Sequence, residues 1–530
     1  MKTRAVKVDL YFWLIFLIGA IVRLYSFFNS YVIGKDSPLY LYQAMVLLRG
    51  DLSLLDLCGF SSRIKEINLF SVAIIPCYLI FKDWEIAGKL VSFLSSSISL
   101  YLLYLILRPY FTNYPLYLTL LVYSFMPTLV KESSEVMRES FFTMLILLGV
   151  FLFLKSLQTK RIFQFLLFAL SNLFFILSSW VRIEGIFLIF FTFIYLFLKI
   201  FLSENKKEFI KIFLSCSFLP IALSLSFLLY VSFYKSFLFI ELKEKLSLLN
   251  PFAQPFVYTL KEFKYLNIPA PSPYFWDMVK QNLWLIAFGT TFFYKFIPAI
   301  YVSNLLFLIA GFKNLKDSLK NFSILWYFLI LSIGYFIGLW YFTFTKWYME
   351  KRYMLPLLYF LSPFIALGFI NLRSYFSKLN ISFQKVVILL VVYIILSSSI
   401  TIYKPLRKEL FEIKTIALDI AHHIDNQTLI KCSKTACPNL IFTPDPRFLF
   451  YVSNYKKVPL CPRPEENVSY FNFQKLPNEQ IINYILSKQY KFAILKEEVF
   501  KERTNFLKIQ LENLGIKTYI VKKTKKSLGL

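Results

Sequence analysis

Apolar runs of roughly 20 residues, each able to cross a hydrocarbon core of about 30 Å, recur along the first 400 positions of this 530-residue chain with short polar breaks between them. In lipid every backbone polar group has to be satisfied within the protein, so such a chain folds as a bundle of helices. Composition agrees: 57% of the residues are hydrophobic and 20% aromatic, and the mean hydropathy of +0.58 exceeds what water keeps dispersed. The first run, Leu10 to Phe28, follows Lys2, Arg4 and Lys7 with no small-residue cleavage site after it. It reads as an uncleaved signal anchor whose N-terminus is cytoplasmic.

A polar stretch follows, Asn29 to Glu66, in which Pro38 to Leu48 is expected as an amphipathic helix on the membrane surface. Residues 67–82 contain Pro76 and are too short for a comfortable crossing, so they read as interfacial or re-entrant. Crossings are expected near 90–107, 113–130, 140–156, 163–180, 185–202, 209–233, 292–311, 322–344, 353–371 and 385–402. This threading places Arg108, Lys155, Lys160, Arg161, Lys206, Lys207, Lys313, Lys316, Lys320, Arg373 and Lys378 in the cytoplasm, as the positive-inside bias requires. A full crossing at 67–82 would turn those clusters outward. The count becomes about eleven transmembrane helices plus re-entrant or juxtamembrane ones, in a plasma membrane, with the C-terminus outside.

The net charge of +28 does not ask for nucleic acid, because most of the cations sit in short loops between spans. From about 403 to 530 the apolar runs stop, which divides the chain into a transmembrane domain, 1–402, and a small extracytoplasmic α/β domain, 403–530. Strands are expected at 428–433, 490–495 and 516–521, with helices at 411–423, 478–488 and 500–513. His422 and His423 lack metal-ligand spacing and read as solvated. Cys432, Cys437 and Cys461 leave room for one disulfide outside the cytoplasm.

Five outward turns collect ionisable residues of both signs. They are Asp36 in YVIGKDSPLY; Lys65 and Glu66; Glu132, Glu135, Arg138 and Glu139 in KESSEVMRES; Arg182 and Glu184 in SWVRIEGIF; and Lys346, Glu350, Lys351 and Arg352 in KWYMEKRYMLP. Any one of them could be plain loop solvation, but the break from Trp180 to Gly185 holds Arg182 and Glu184 close to apolar spans, where unpaired charge is costly. Such a set suits attack on a phosphate-linked carbon: one carboxylate takes a hydroxyl proton while cations hold the departing phosphate. No second acid is needed, because phosphate leaves as an anion. HExxH, GxxxxGK[ST], a Gly-rich dinucleotide turn and GxSxG are all missing from the sequence.

The acid after the first helix (Asp36), the run INLFSVAIIPCYLIFKDWEIAGKLVSFL (67–94), SSEVMRESFF (133–142), WVRIEG (180–185) and KRYMLPLLYF (351–360) carry a resemblance from the first span to the tail. In their order and spacing the chain resembles the polytopic GT-C glycosyltransferases of the protein O-mannosyltransferase and aminoarabinose-transferase type. The resemblance implies an inverting transferase in which Asp36 is the catalytic base. It would move a sugar from a polyprenyl-phosphate donor to a hydroxyl on a protein, a lipid such as lipid A, or a glycan. It also implies that Glu135 and Glu139 line the same cavity, and that Arg182, Lys351, Arg352 and Tyr353, with Glu184, surround the lipid phosphate or the sugar. The tail looks like the extracytoplasmic cap of such enzymes.

The chain departs from the pattern at three points. The second acid often found beside the first is replaced by Ser37, which leaves Glu66 or nothing as partner and no metal-ligand set to name for a divalent cation such as magnesium or manganese. Lys89 stands where arginine is common, and Arg138 where a small polar residue is usual. Two other readings are a transporter or lipid flippase, which an internal repeat with midplane charges would mark, and a lipid-linked oligosaccharide polymerase or ligase.

Overall fold

The structure, a computed structural model, describes residues 9–57, 67–159, 162–202, 282–313, 323–378, 382–425, 440–461 and 476–521, apart from 347, 404, 408, 409, 444 and 501, with shorter pieces between. Residues 218–233 of the predicted crossing at 209–233, and the residues Lys65, Glu66 and Cys437, lie outside the described residues. Among those described, seven helices are long and apolar enough to cross a membrane: Leu10–Phe28, Trp84–Leu107, Arg138–Ser156, Ile162–Val181, Ile183–Phe201, Leu283–Ile300 and Ile324–Thr345. An eighth is the bent pair Lys351–Phe360 and Ser362–Ser377. The chain is a multi-pass membrane protein.

Prolines explain where these spans depart from the expected ones. The crossing read at 113–130 stops at Phe125, because Pro127 opens a separate short helix and leaves Met126 extended. The one read at 353–371 bends by 59°, at Leu361, where Pro363 has no N–H to continue the ladder. The one read at 292–311 runs instead over Leu283–Ile300. Its turns widen to π geometry over Thr290–Phe296 just before Pro298, and it ends at Tyr301, whose φ of 70° starts a new helix, Val302–Phe312. Leu69–Phe81 has 13 residues with Pro76 inside, about 20 Å at 1.5 Å per residue, and is short in the way the sequence predicts.

The chain divides into two compact units: residues 1–19, 97–129 and 142–399 form the first, and residues 20–96, 130–141 and 400–530 the second. In the first, helices are locked by small residues and interhelical hydrogen bonds. Val302–Phe312 and Ser362–Lys378 meet backbone to backbone at Gly311 and Gly368, and Asn371 Nδ2 donates to the Ala310 carbonyl at 2.8 Å across the same crossing. Gly334 makes room for the Phe191 ring, the Thr192 and Tyr327 hydroxyls meet at 3.1 Å, and Asn172 Nδ2 donates to the Cys216 carbonyl at 2.8 Å.

The second unit contains a parallel sheet in the order β1 (Ile441–Phe442), β2 (Phe492–Lys496), β3 (Lys517–Val521). One face packs on Asn478–Ser487 and Arg503–Asn513 through Ile481, Ile485, Leu507 and Leu511. Ile441, Phe492 and Ile494 of the sheet belong to a second apolar cluster with Ile413, Ala417 and Ile420 of Glu412–His423 and with Phe448 to Val452 of Pro446–Lys456. Val32, Ile33, Leu41, Phe70, Trp84, Val136 and Met137 lie in that same cluster. The polar tail and the loop after the first helix therefore share one core.

Two expectations need correction here. Ser37–Arg49 is a helix, but it is not a surface one: Ser37, Pro38 and Tyr40 to Val46 are buried, under Leu69–Phe81 and Pro446–Lys456. The strand read at 428–433 is helical at Thr428 and Cys432, since the Asp425 carboxylate caps the turn by accepting from the Thr428 amide. Its place in the sheet is taken by the two-residue β1. Cys432 is disulfide-bonded, and Cys461 is buried.

Candidate active site

The predicted site residues fall into two groups, one in each unit. Asp36 belongs to the second unit, at the end of a loop (29–36) that leads into the buried helix Ser37–Arg49. It is half-buried and occupies the N-cap, yet its carboxylate makes no capping bond to the helix amides. That carboxylate is therefore held beside the positive end of a helix without being consumed by it. Pro38 in the first turn removes an N–H that would be orphaned anyway. Ser37 is fully buried and its hydroxyl has no hydrogen-bond partner.

The loop lies tightly on the segment 135–137. A Cβ added to Gly34 would sit 2.4 Å from Met137 Cε, 3.2 Å from Ser37 Oγ and 3.4 Å from Glu135 Oε2, so a larger residue would have to push the Met137 methyl aside. Glu135 is 6% exposed and its carboxylate is engaged by Arg407 at 2.6 Å. Glu139 is likewise buried, while the Arg138 guanidinium stands 5.8 Å over the Tyr40 ring.

Buried charges surround the loop, and sequence reasoning missed most of them. Lys89 donates to the Ser30 carbonyl at 2.6 Å and pairs with Glu85 at 2.7 Å. Lys414 pairs with the same carboxylate at 2.9 Å. The Ile33 amide donates to the Tyr451 hydroxyl at 3.1 Å; burial, then the charge of Glu85, push this phenol well above the ordinary tyrosine range, so it stays a neutral donor and acceptor. Arg447 and Asp445 form a buried pair at 2.6 Å. Burial works to lower the Arg447 guanidinium, but the hydrogen bonds and charge of Asp445 outweigh it and leave it above the usual arginine value. Of these residues only Lys89 was singled out in the sequence, at a position where arginine is common.

In the first unit, Arg182 caps the break between Ile162–Val181 and the short turn Ile183–Gly185. Gly185 permits that break, since a Cβ there would lie 2.3 Å from Ser178 Oγ and 2.5 Å from the Ser179 amide nitrogen. Arg182 is buried and donates through both Nε and Nη2 to Glu184, at 3.3 and 2.6 Å. Its guanidinium lies 4.1 Å from the centre of the Tyr353 ring. Arg352 approaches the same ring at 5.5 Å and pairs with Glu350 at 2.6 Å. The Tyr335 hydroxyl holds the Tyr353 carbonyl at 3.3 Å. Arg182, Glu184, Arg352 and Tyr353 are thus one cluster, a tyrosine ring flanked by two guanidiniums that each carry a carboxylate. Lys351 is exposed beside it.

No three His, Cys, Asp or Glu side chains among the described residues are grouped as metal donors, and Glu135 and Glu85 are each taken by cations.

The fold is similar to that of a GT-C membrane glycosyltransferase. An archaeal oligosaccharyltransferase, AglB from Archaeoglobus fulgidus solved in complex with an inhibitory peptide and a dolichol-phosphate, matches it with a TM-score of 0.50, covering 90% of this chain and 68% of that one at 12% identity. Residues 70–230 match the model of the dolichyl-phosphate-mannose-protein mannosyltransferase family, one of the GT-C families that the sequence motifs resemble. No curated protein matches the chain.

Proposed function

We propose that this chain is an inverting glycosyltransferase that moves a sugar from a polyprenyl-phosphate donor to an acceptor hydroxyl on a protein, lipid or glycan at the extracytoplasmic face of the membrane. The observation that carries the reading is a carboxylate, Asp36, placed at the N-cap of a buried helix, in a chain whose fold is similar to a GT-C oligosaccharyltransferase. The family match over residues 70–230 supports lipid-linked glycosyl transfer in general terms.

In this reading Asp36 accepts the proton of the acceptor hydroxyl as its oxygen attacks the anomeric carbon, and the bond from that carbon to the phosphate oxygen breaks. The phosphate leaves as an anion on the lipid, and the configuration inverts. Arg182 and Arg352 are the groups for that anion, because a planar guanidinium donates two parallel bonds to phosphate oxygens. Glu184 and Glu350 neutralise them until a donor competes for the same N–H groups. Tyr353 offers a ring face to the sugar or the lipid.

Arg182→Ala is expected to weaken binding of a polyprenyl-phosphate sugar by roughly 1–3 kcal/mol, the worth of its charge-assisted bonds. Titration of the purified protein with dolichyl-phosphate mannose measures it, and an unchanged affinity would count against the assignment. Orientation has its own test: single cysteines at 36 and 182 are expected to react with an impermeant maleimide added outside intact cells. Labelling of either from the cytoplasmic side only would end the extracytoplasmic reading. Assay with donors bearing one sugar and several separates a monosaccharide transferase from an oligosaccharide ligase, which shares the donor chemistry.

A further inference from the structure

The second unit joins two stretches of chain by backbone pairing: the Leu406 amide donates to the Asn29 carbonyl at 2.9 Å, and the Tyr31 amide donates to the Leu406 carbonyl at 3.1 Å. The residue next to this stitch, Arg407, has φ of 56°, a left-handed conformation that side-chain-bearing residues seldom adopt. Its Nη1 reaches the Val32 carbonyl at 3.0 Å and the Glu135 carboxylate at 2.6 Å. Val32 opens the turn whose Gly34 touches Glu135 and Met137 and whose last residue is Asp36.

We propose that Arg407 is a positioning residue for the base, fixing the 29–36 loop from the far end of the chain. This inference rests on the reading of Asp36 as the base. The physical case is one of geometry and burial. One guanidinium nitrogen, Nη1, bridges a loop carbonyl and a buried carboxylate, so the loop's distance from the 135–137 segment is set by that charged N–H group and not by apolar packing alone. Removing it takes the direct ion pair from Glu135, which is only 6% exposed. Lys89 and Tyr451 hold Ser30 and Ile33, but neither is bonded to Glu135 by the contacts described here. Arg407 alone among these ties the loop to that acid.

The test uses the full chain in nanodiscs. In Arg407→Ala the amides of Tyr31 and Ile33 are expected to exchange about tenfold faster, while β2 and β3 keep wild-type protection. Transfer from dolichyl-phosphate mannose to acceptors in membranes of the source organism is expected to fall about 30- to 100-fold in kcat, with donor KM within about threefold, the signature of a misplaced base. Arg407→Lys keeps the charge but not the guanidinium, and is expected to recover part of the lost turnover. Glu135→Gln is expected to give the same loss without adding to it in the double variant.

Unchanged exchange at Tyr31 and Ile33, or faster exchange with unchanged kcat, overturns the proposal. If Arg407→Ala loosens the whole domain, the lysine variant decides, and full wild-type turnover there overturns it too. Should the wild-type chain transfer nothing from any polyprenyl-phosphate sugar, the proposed function falls, and the exchange of Tyr31 and Ile33 alone decides whether Arg407 anchors the loop.

Discussion

Asp36→Asn is expected to lower sugar transfer by about three orders of magnitude, within the range of about 10²–10⁴ that a positioned proton acceptor contributes. The substitution keeps volume and shape and removes only basicity. Because the Asp36 carboxylate forms no cap bond to the helix Ser37–Arg49, the amide should not cost the fold through lost capping. Expression, melting temperature and donor affinity should therefore stay at wild-type values while kcat collapses. The measurement is single-turnover transfer from dolichyl-phosphate mannose by purified protein. Asp36→Asn transferring within tenfold of wild type would remove the base from this residue, and a lowered melting temperature would mean that the carboxylate supports structure.

Gly311→Val and Gly368→Val are expected to break the first unit. A Cβ on Gly311 would lie 1.9 Å from the Phe364 carbonyl oxygen, and one on Gly368 would lie 2.0 Å from that of Phe307. Both obstacles are backbone atoms, which cannot rotate aside, so the helices Val302–Phe312 and Ser362–Lys378 would have to part. Separation forfeits the packing that holds helices together in lipid and strains the Asn371 bond to Ala310. The expected cost is about 3 kcal/mol or more, at or above the upper end of ordinary overpacking. Thermal midpoints in detergent, read by size-exclusion chromatography after heating, measure it. Gly338→Ala is the control, since a Cβ there meets nothing within 4 Å; its midpoint should hold or rise slightly. Equal behaviour of Gly311→Val and Gly338→Ala would refute the close crossing.

The sequence made the class of fold legible because apolar length is a local property, and the strands at 490–495 and 516–521 were legible because each is a short apolar alternation after a helix. Where prolines interrupt an apolar run, hydropathy averages over the break, and so Met126, Leu361 and Tyr301 were passed over. β1 has two residues, fewer than a period-2 pattern needs to declare itself. Thr428 looked strand-like by type, but a capping carboxylate three residues earlier outweighed that preference.

The same contrast runs through the candidate site. Arg182 and Glu184 stand out in the sequence because they interrupt an apolar stretch, and Tyr353 entered through the resemblance carried by KRYMLPLLYF (351–360). Arg407 and Tyr451 carried no such mark. Their partners are Glu135 and Ile33, 272 and 418 positions away along the chain, and no spacing rule reaches that far.

The bond between the Ile33 amide and the Tyr451 hydroxyl spans 418 positions. At the ribosome's pace that separation is roughly 20–80 s of synthesis. Throughout that interval Lys89 can already hold Ser30, while the partners of Ile33 and Val32 do not yet exist. A nascent chain stalled before Arg407 would carry a loop tied down at one end, and the rest of its anchoring waits for residues 407 and 451 to be made.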